Sequence, residues 1–204
     1  MSALRKFAIL LMVVGLLFVI HGGYQIIKTN LAQQESLAEA KAILDDSKVH
    51  IPDNDDEESL AEIAANFQPE QGEKVGILEI PRLDAELPII EGTHEDELEQ
   101  GVGHYKGTAY PLQNDQIVLS GHRDTVFRGM GELELGDIFI VKMPYGDFTY
   151  EITDFKIVDA DDRTVIVSTA PDEVLTVTTC YPFTYVGSAP DRYIITALPI
   201  YENE

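Results

Sequence analysis

Residues 7–27 carry no charged side chain, and this run limits the fold of the chain more than anything else in it. Its 21 residues, wound as a helix, reach about 30 Å, the thickness of a bilayer's hydrocarbon core. Arg5 and Lys6 stand just before the run, and all 36 acidic residues follow it. Basic residues ahead of a span and acidity behind it keep the N-terminus, residues 1–6, in the cytoplasm and put the rest outside the plasma membrane, as a single-pass protein. A cleaved signal peptide is the competing reading, since residues 7–20 suit an apolar signal core. The exit His21-Gly22-Gly23-Tyr24-Gln25 offers no small-x-small cleavage site in the usual place, and Ile26 and Ile27 prolong the apolar run. An uncleaved anchor over residues 7–27 is the reading favoured.

The remaining charge removes whole classes of function. With 14 Lys and Arg against 36 Asp and Glu, the formal charge is −22, and such a surface repels nucleic-acid phosphates rather than binding them. A single Cys allows no intramolecular disulfide and no Cys-rich zinc module.

Residues 28–72 read as an acidic stalk, with helix-like stretches at 31–44 and 59–67. Ser59 and Glu62 have the spacing of a capping box at the start of the second stretch. Residues 53–58 are acidic enough for a calcium loop but lack its turn-making Gly and distal Glu, so they read as a solvated charge run and no metal site is assigned. The apolar stripe Leu60, Ile63, Ala64, Phe67 is expected to dock on the following domain and restrict its groove.

From residue 73 to 204 the texture changes to short segments rich in Val, Ile, Thr and aromatics, bounded by Gly, Pro, Asn or Asp. Strands are predicted at 75–80, 87–90, 117–120, 138–142, 148–160, 164–167, 174–180 and 193–200, with short helices only at 96–100 and 127–133. Many short strands without alternating long helices indicate an all-β sandwich or closed barrel.

Cys180 ends the run Leu175-Thr176-Val177-Thr178-Thr179-Cys180. Strand alternation puts Leu175 and Val177 on one face and Thr176, Thr178 and Cys180 on the other. A free Cys is commonly an apolar filler, but this one shares a hydroxyl-bearing face, so a reactive and a structural role both stay open. A nucleophilic Cys requires a proton partner and a group that holds the charge growing on the attacked carbonyl. Of the five His, His21 belongs to the membrane exit, His50 to the stalk, His94 to a solvated helix start and His104 to a loop. His122 directly follows an apolar strand, which delivers it to an edge where sites are built. Arg192 opens the last strand, 12 residues after Cys180, and its planar guanidinium can present two donors to one oxygen. A surface salt bridge with Asp191 is the plainer reading of Arg192.

The order and spacing of Ser120-Gly121-His122, Thr176-Val177-Thr178-Thr179-Cys180 and Arg192 resemble the His, the TLxTC strand and the Arg of sortases, the membrane-anchored cysteine transpeptidases of Gram-positive bacteria. Residues 101–105, 120–127, 179–187 and 189–193 are similar to class D in particular, and the resemblance runs over about residues 75–201. It implies an eight-stranded sortase-like β-barrel with short helices, behind a transmembrane helix and a partly helical stalk.

By that resemblance, Cys180 attacks the Thr carbonyl of a Leu-Pro-x-Thr-x signal near the carboxyl end of an exported protein. His122 moves the protons of the leaving and incoming amines. Arg192 holds the oxyanion, aided by the N–H after Cys180 and the Thr179 hydroxyl. Thr179, Tyr181, Ser120 and His104 are the candidate substrate-binding residues. The acceptor is a cell-wall precursor amine, lipid-linked, and no cofactor is required. Alternatives are a thiol hydrolase using the same residues, a pilin-polymerising sortase, for which no Asp-Pro-aromatic lid motif precedes the barrel, and a non-catalytic membrane-tethered β module.

Overall fold

The computed structural model describes residues 3–48, 57–184 and 187–200. His50, the start of the acidic run at 53–56 and the pair Tyr185-Val186 of the Cys motif lie outside the described residues.

A single helix, α1 (Ala3–Lys48), contains the expected anchor and continues without a break through the first helix-like stretch of the stalk. Gly22-Gly23 does not break it, because backbone groups in an apolar medium have only the helix itself to bond to. Beyond Ile27 the chain supplies good helix formers and no Pro. The stretch 5–47 includes a window of mean hydropathy 2.2 with none of it buried, which makes it a candidate membrane span by length and composition.

The second helix, α2 (Glu57–Ala65), starts two residues before Ser59, so the expected cap lies inside it. A capping box does form one helix later, at α3 (Glu95–Gln100), where the His94 N–H donates to the Glu97 carboxylate at 2.8 Å. Ala64 of α2 is buried, and Phe67 packs edge-on to Tyr110 and Tyr145. Leu60, Ala64 and Phe67 of the stripe thus dock on the barrel, while Ile63 stays exposed.

Eight strands follow: β1 (Lys74–Ile80), β2 (Ala85–Glu91), β3 (Val102–His104), β4 (Gln116–Gly121), β5 (Ile138–Met143), β6 (Gly146–Asp159), β7 (Val174–Tyr181) and β8 (Asp191–Pro199). They close a barrel in the order β1-β2-β3-β4-β7-β8-β6-β5, with β2/β3 and β4/β7 parallel and the other pairs antiparallel. Alternate residues such as Leu78, Ile80, Ile89, Leu119, Phe139, Tyr150, Leu175, Val177 and Ile195 fill the interior. Ile77 faces outward yet is buried, because α1 covers it with Ala40 and Leu44.

Two strand expectations need correction. Residues 164–167 are not a strand: the Gln116 side-chain amide takes up their backbone, donating to Val165 O at 2.8 Å and accepting from Val167 N at 2.9 Å, so a side chain stands in for a ladder partner. The missing strand is β3, hidden by Gly101 and Gly103. A Cβ at Gly103 would lie 2.4 Å from the Gly92 carbonyl, so close backbone approach demands Gly where propensity reads weakness. The expected helix at 127–133 is reduced to a 3-10 turn over Met130–Glu132.

Candidate active site

The parallel pairing of β4 with β7 ends at Gly121 opposite Thr179. That register sets His122, the next residue, beside the end of β7, where Cys180 stands. On its other edge β7 pairs with β8, and Cys180 is opposite Arg192. Three segments distant in sequence thus deliver one side chain each to one end of the barrel. His122, Cys180 and Arg192 line a single cavity of about 340 Å³, completed by Arg123, Asp124, Gly187, Ser188 and Ala189. Larger cavities of about 680 and 810 Å³ lie beside α1 and α2, lined by neither Cys180 nor His122. Among the described residues no group of three or more His, Cys, Asp or Glu side chains is placed to hold a metal ion.

Local packing fixes each member. A Cβ at Gly121 would meet the Phe127 ring at 2.6 Å, so only Gly lets the 122–127 turn fold back on the strand end. That turn is held by Phe127 N–H donating to His122 O at 3.0 Å. The His122 ring is partly exposed, with Nε2 4.0 Å from the Glu95 carboxylate at the start of α3. Cys180 is half-buried on the outward face, as alternation predicts, while Leu175 and Val177 face the core. Arg192 directs Nη1 at the carbonyls of Asp191 at 3.0 Å and Ala189 at 3.4 Å. These anchors fix the fork beside the thiol. Arg123 Nη2 donates to Gly187 O at 2.9 Å and ties the His122 turn to the loop between β7 and β8.

The four expected substrate-binding residues are placed differently, and none lines the cavity. Thr179 is buried on the face opposite Cys180 and donates its hydroxyl to Gly121 O at 2.7 Å. In this arrangement the proton of that hydroxyl is committed to the β4 carbonyl and not to the cavity. Tyr181 stacks on Tyr193 and meets Phe183 edge-on, in an aromatic group at the barrel end. Ser120 lies within β4 opposite Thr178, half-buried.

His104 is not in a loop but at the end of β3, only 1% exposed. Its Nδ1 lies 2.6 Å from the Glu91 carboxylate and its Nε2 2.9 Å from Ala109 O. The carboxylate accepts from Nδ1–H, and Nε2 also lies 3.1 Å from the Thr108 hydroxyl, so every polar atom of the ring has a partner. Tyr110 stacks on His104 and donates its hydroxyl to the same Glu91 oxygen. Burial pushes the Glu91 carboxyl up, but hydrogen bonds from His104 and Tyr110 outweigh it and hold the group below its ordinary value. This is a buried polar anchor of the barrel.

Sequence reasoning missed Arg123, Asp124 and Ser188 in the cavity wall and Glu95 beside His122. Arg123 and Asp124 adjoin His122 in the sequence and were within reach of that reading. Glu95 lies 27 positions earlier, with no local signal linking it to His122.

A family model described as the sortase domain matches residues 78–200. The chain is 51% identical over 181 residues to Sortase D of Bacillus subtilis (strain 168), a match covering 89% of this chain and 91% of that protein. It is 25% identical over 201 residues to Sortase A of Bacillus anthracis, covering 92% of this chain and 90% of the relative. Among solved structures, the Clostridium perfringens Sortase D5 transpeptidase superimposes with a TM-score of 0.66 at 25% identity, over 83% of this chain and 99% of that one.

Proposed function

The chain belongs to the sortase family of cysteine transpeptidases, with its likeness in class D, and on that premise we propose that Cys180 is the nucleophile of an acyl transfer from exported proteins to a cell-wall precursor. The thiolate attacks the Thr carbonyl of a Leu-Pro-x-Thr-x signal. The Thr–x amide bond breaks, the departing amine takes a proton from His122, and a thioester remains on Cys180. An incoming amine then attacks the thioester, His122 accepts its proton, and the thiolate is released. Arg192, with the backbone N–H after Cys180, stabilises the oxygen that becomes negative in both steps. The donor is an exported protein with its signal near the carboxyl end, and the acceptor is the amine of a lipid-linked peptidoglycan precursor. The reaction takes place outside the plasma membrane.

The observation that carries this reading is the cross-strand pairing of Cys180 with Arg192 at the edge of a cavity that His122 also lines. A thiol next to a directed guanidinium and an imidazole is suited to acyl transfer and has no evident structural purpose on an outward face. The test is incubation of the full chain in detergent with Leu-Pro-x-Thr-x peptides, with and without an amine acceptor. Mass spectrometry would show a thioester on Cys180 and a ligated product. Absence of any thioester across the peptide panel rejects the proposal, and release of acid alone in the presence of amines favours a hydrolase.

A further inference from the structure

The helix that leaves the apolar run does not pass into a linker. Beyond Ile27, α1 lies along the barrel. Its Ser36, Ala40 and Leu44 are buried, and ion pairs join Lys28 to Glu99, Glu39 to Lys74 and Lys41 to Glu86. The first of these pairs is made by the residue directly after the uncharged run, and it holds α3. The C-terminal end of α3 leads into β3, whose Gly103 pairs with Ser120, two residues before His122. At its N-terminal end, Glu95 comes within 4.0 Å of His122 Nε2. The Lys28–Glu99 pair, six residues of helix about 9 Å long and the Glu95 side chain thus connect the point where α1 leaves its apolar run to the imidazole of the cavity. The headgroup layer on each side of a bilayer is of similar thickness, about 5 to 8 Å.

The barrel end at which β4 and β7 finish and β8 begins is therefore the end nearest the base of the anchor. Glu95 and Asp96 are exposed, and acidic side chains are repelled by anionic headgroups within a screening length of about 8 to 10 Å. The mechanical link is α1 itself, continuous from the apolar run into the docked stripe.

We infer that α1 is a rigid strut that holds the Cys180 cavity at the level of the lipid headgroups, so that the barrel end bearing α3 faces the membrane and the site takes up substrates tethered in its plane. The substrate half of this inference rests on the acyl-transfer reading above. The strut rests on geometry alone.

The single Cys makes the height measurable. The full chain is reconstituted in phosphatidylcholine–phosphatidylglycerol vesicles, a fluorescent donor is attached to Cys180, and acceptor dyes are carried on lipid headgroups. A helical heptad inserted between Ile27 and Lys28 keeps the docked face nearly in register and lifts the barrel by about 10 Å. Energy transfer is expected to be strong in the unmodified chain and to fall in the insertion variant. A donor farther from the headgroups than about 30 Å, the length of the docked part of α1, or a transfer efficiency unmoved by the insertion, overturns the strut. In the unlabelled proteins, the insertion is expected to slow cleavage of a Leu-Pro-x-Thr-x peptide carried on a lipid anchor by at least about tenfold, and to leave cleavage of the same peptide free in solution unchanged. Equal rates for the two forms in both proteins overturn the claim on tethered substrates. Failure of the unmodified chain to cleave either peptide removes the acyl-transfer reading and that claim together, while the fluorescence distance still decides the strut.

Discussion

Cys180 and Arg192 face each other across the β7–β8 ladder, and the Arg192 fork is pinned by the carbonyls of Ala189 and Asp191. A cross-strand pair holds the two residues within about 5.5 Å at the Cα atoms, and the bonds to Ala189 O and Asp191 O then set the direction of the guanidinium. Such fixed geometry implies directed donors rather than a diffuse positive charge. Arg192→Lys keeps the charge but loses the planar fork, and is expected to slow thioester formation nearly as much as Arg192→Ala. Loss of one oxyanion donor costs about 100- to 1000-fold in turnover, whereas a rim salt bridge is worth about 0 to 1 kcal/mol. Rates on a Leu-Pro-x-Thr-x peptide, with the fold checked by circular dichroism, separate the two. Near-normal rates in both variants would take Arg192 out of the reaction.

His122 and His104 divide activity from stability. His122 is partly exposed at a strand end and holds up no core, so His122→Ala is expected to abolish turnover with little change in Tm. His104→Ala strips the buried Glu91 carboxylate of a hydrogen-bond donor, which typically costs about 1.5 to 3 kcal/mol. In a chain of this size that lowers Tm by roughly 3 to 12 °C. Thermal unfolding and peptide cleavage measured on both variants check the division. A His122→Ala variant that unfolds early, or a His104→Ala variant of unchanged Tm, contradicts it.

Seven of the eight strands were legible because Val, Ile and aromatic residues alternate along them and Gly, Asp or Pro bound them. β3 was not, because the close approach of its backbone to Gly92 selects the residue that strand propensity penalises. Residues 164–167 misled for the opposite reason. They carry the β-branched residues of a strand but bond to the Gln116 side chain, a pairing that no local pattern encodes. In the site, the face of Cys180 followed from alternation alone. The same alternation already placed Thr179 on the core side, away from any oxyanion, and the resemblance obscured that consequence. The approach of Glu95 to His122, and the docking of α1 that stands behind it, depend on tertiary contacts between helices and strands far apart in the sequence.

The Thr179 hydroxyl offers a test in which a structural bond and a catalytic donor predict different magnitudes. Its bond to Gly121 O joins β7 to β4 one residue before His122 and is worth about 0.5 to 1.5 kcal/mol. Thr179→Val keeps the shape and removes the donor. If all of that energy appeared in the barrier, turnover would fall by at most about tenfold. The expected result is a loss within that bound, a Tm lowered by about 1 to 6 °C, and recovery of both in Thr179→Ser. A 100-fold loss at unchanged Tm would restore the hydroxyl to the oxyanion site.

Acid should expose the Glu91 anchor. Its carboxyl sits below the ordinary value because the hydrogen bonds from His104 and Tyr110 overcome the cost of burial. A carboxylate whose folded pKa is depressed contributes stability that is fully present above its unfolded pKa, about 4.3, and is lost as pH falls through the folded value. Glu91→Gln removes the titrating group, so the variant should be less stable than the unmodified chain at pH 7 by about 1.5 to 3 kcal/mol, the worth of a hydrogen bond to a charged group. Below pH 4 the unmodified chain surrenders its own contribution, and the gap between the two proteins should narrow. Urea unfolding of both at pH 7 and at pH 3.5 measures that gap. A difference that stays constant, or widens in acid, would mean that the negative charge of Glu91 is not what anchors His104 and Tyr110 in the barrel wall.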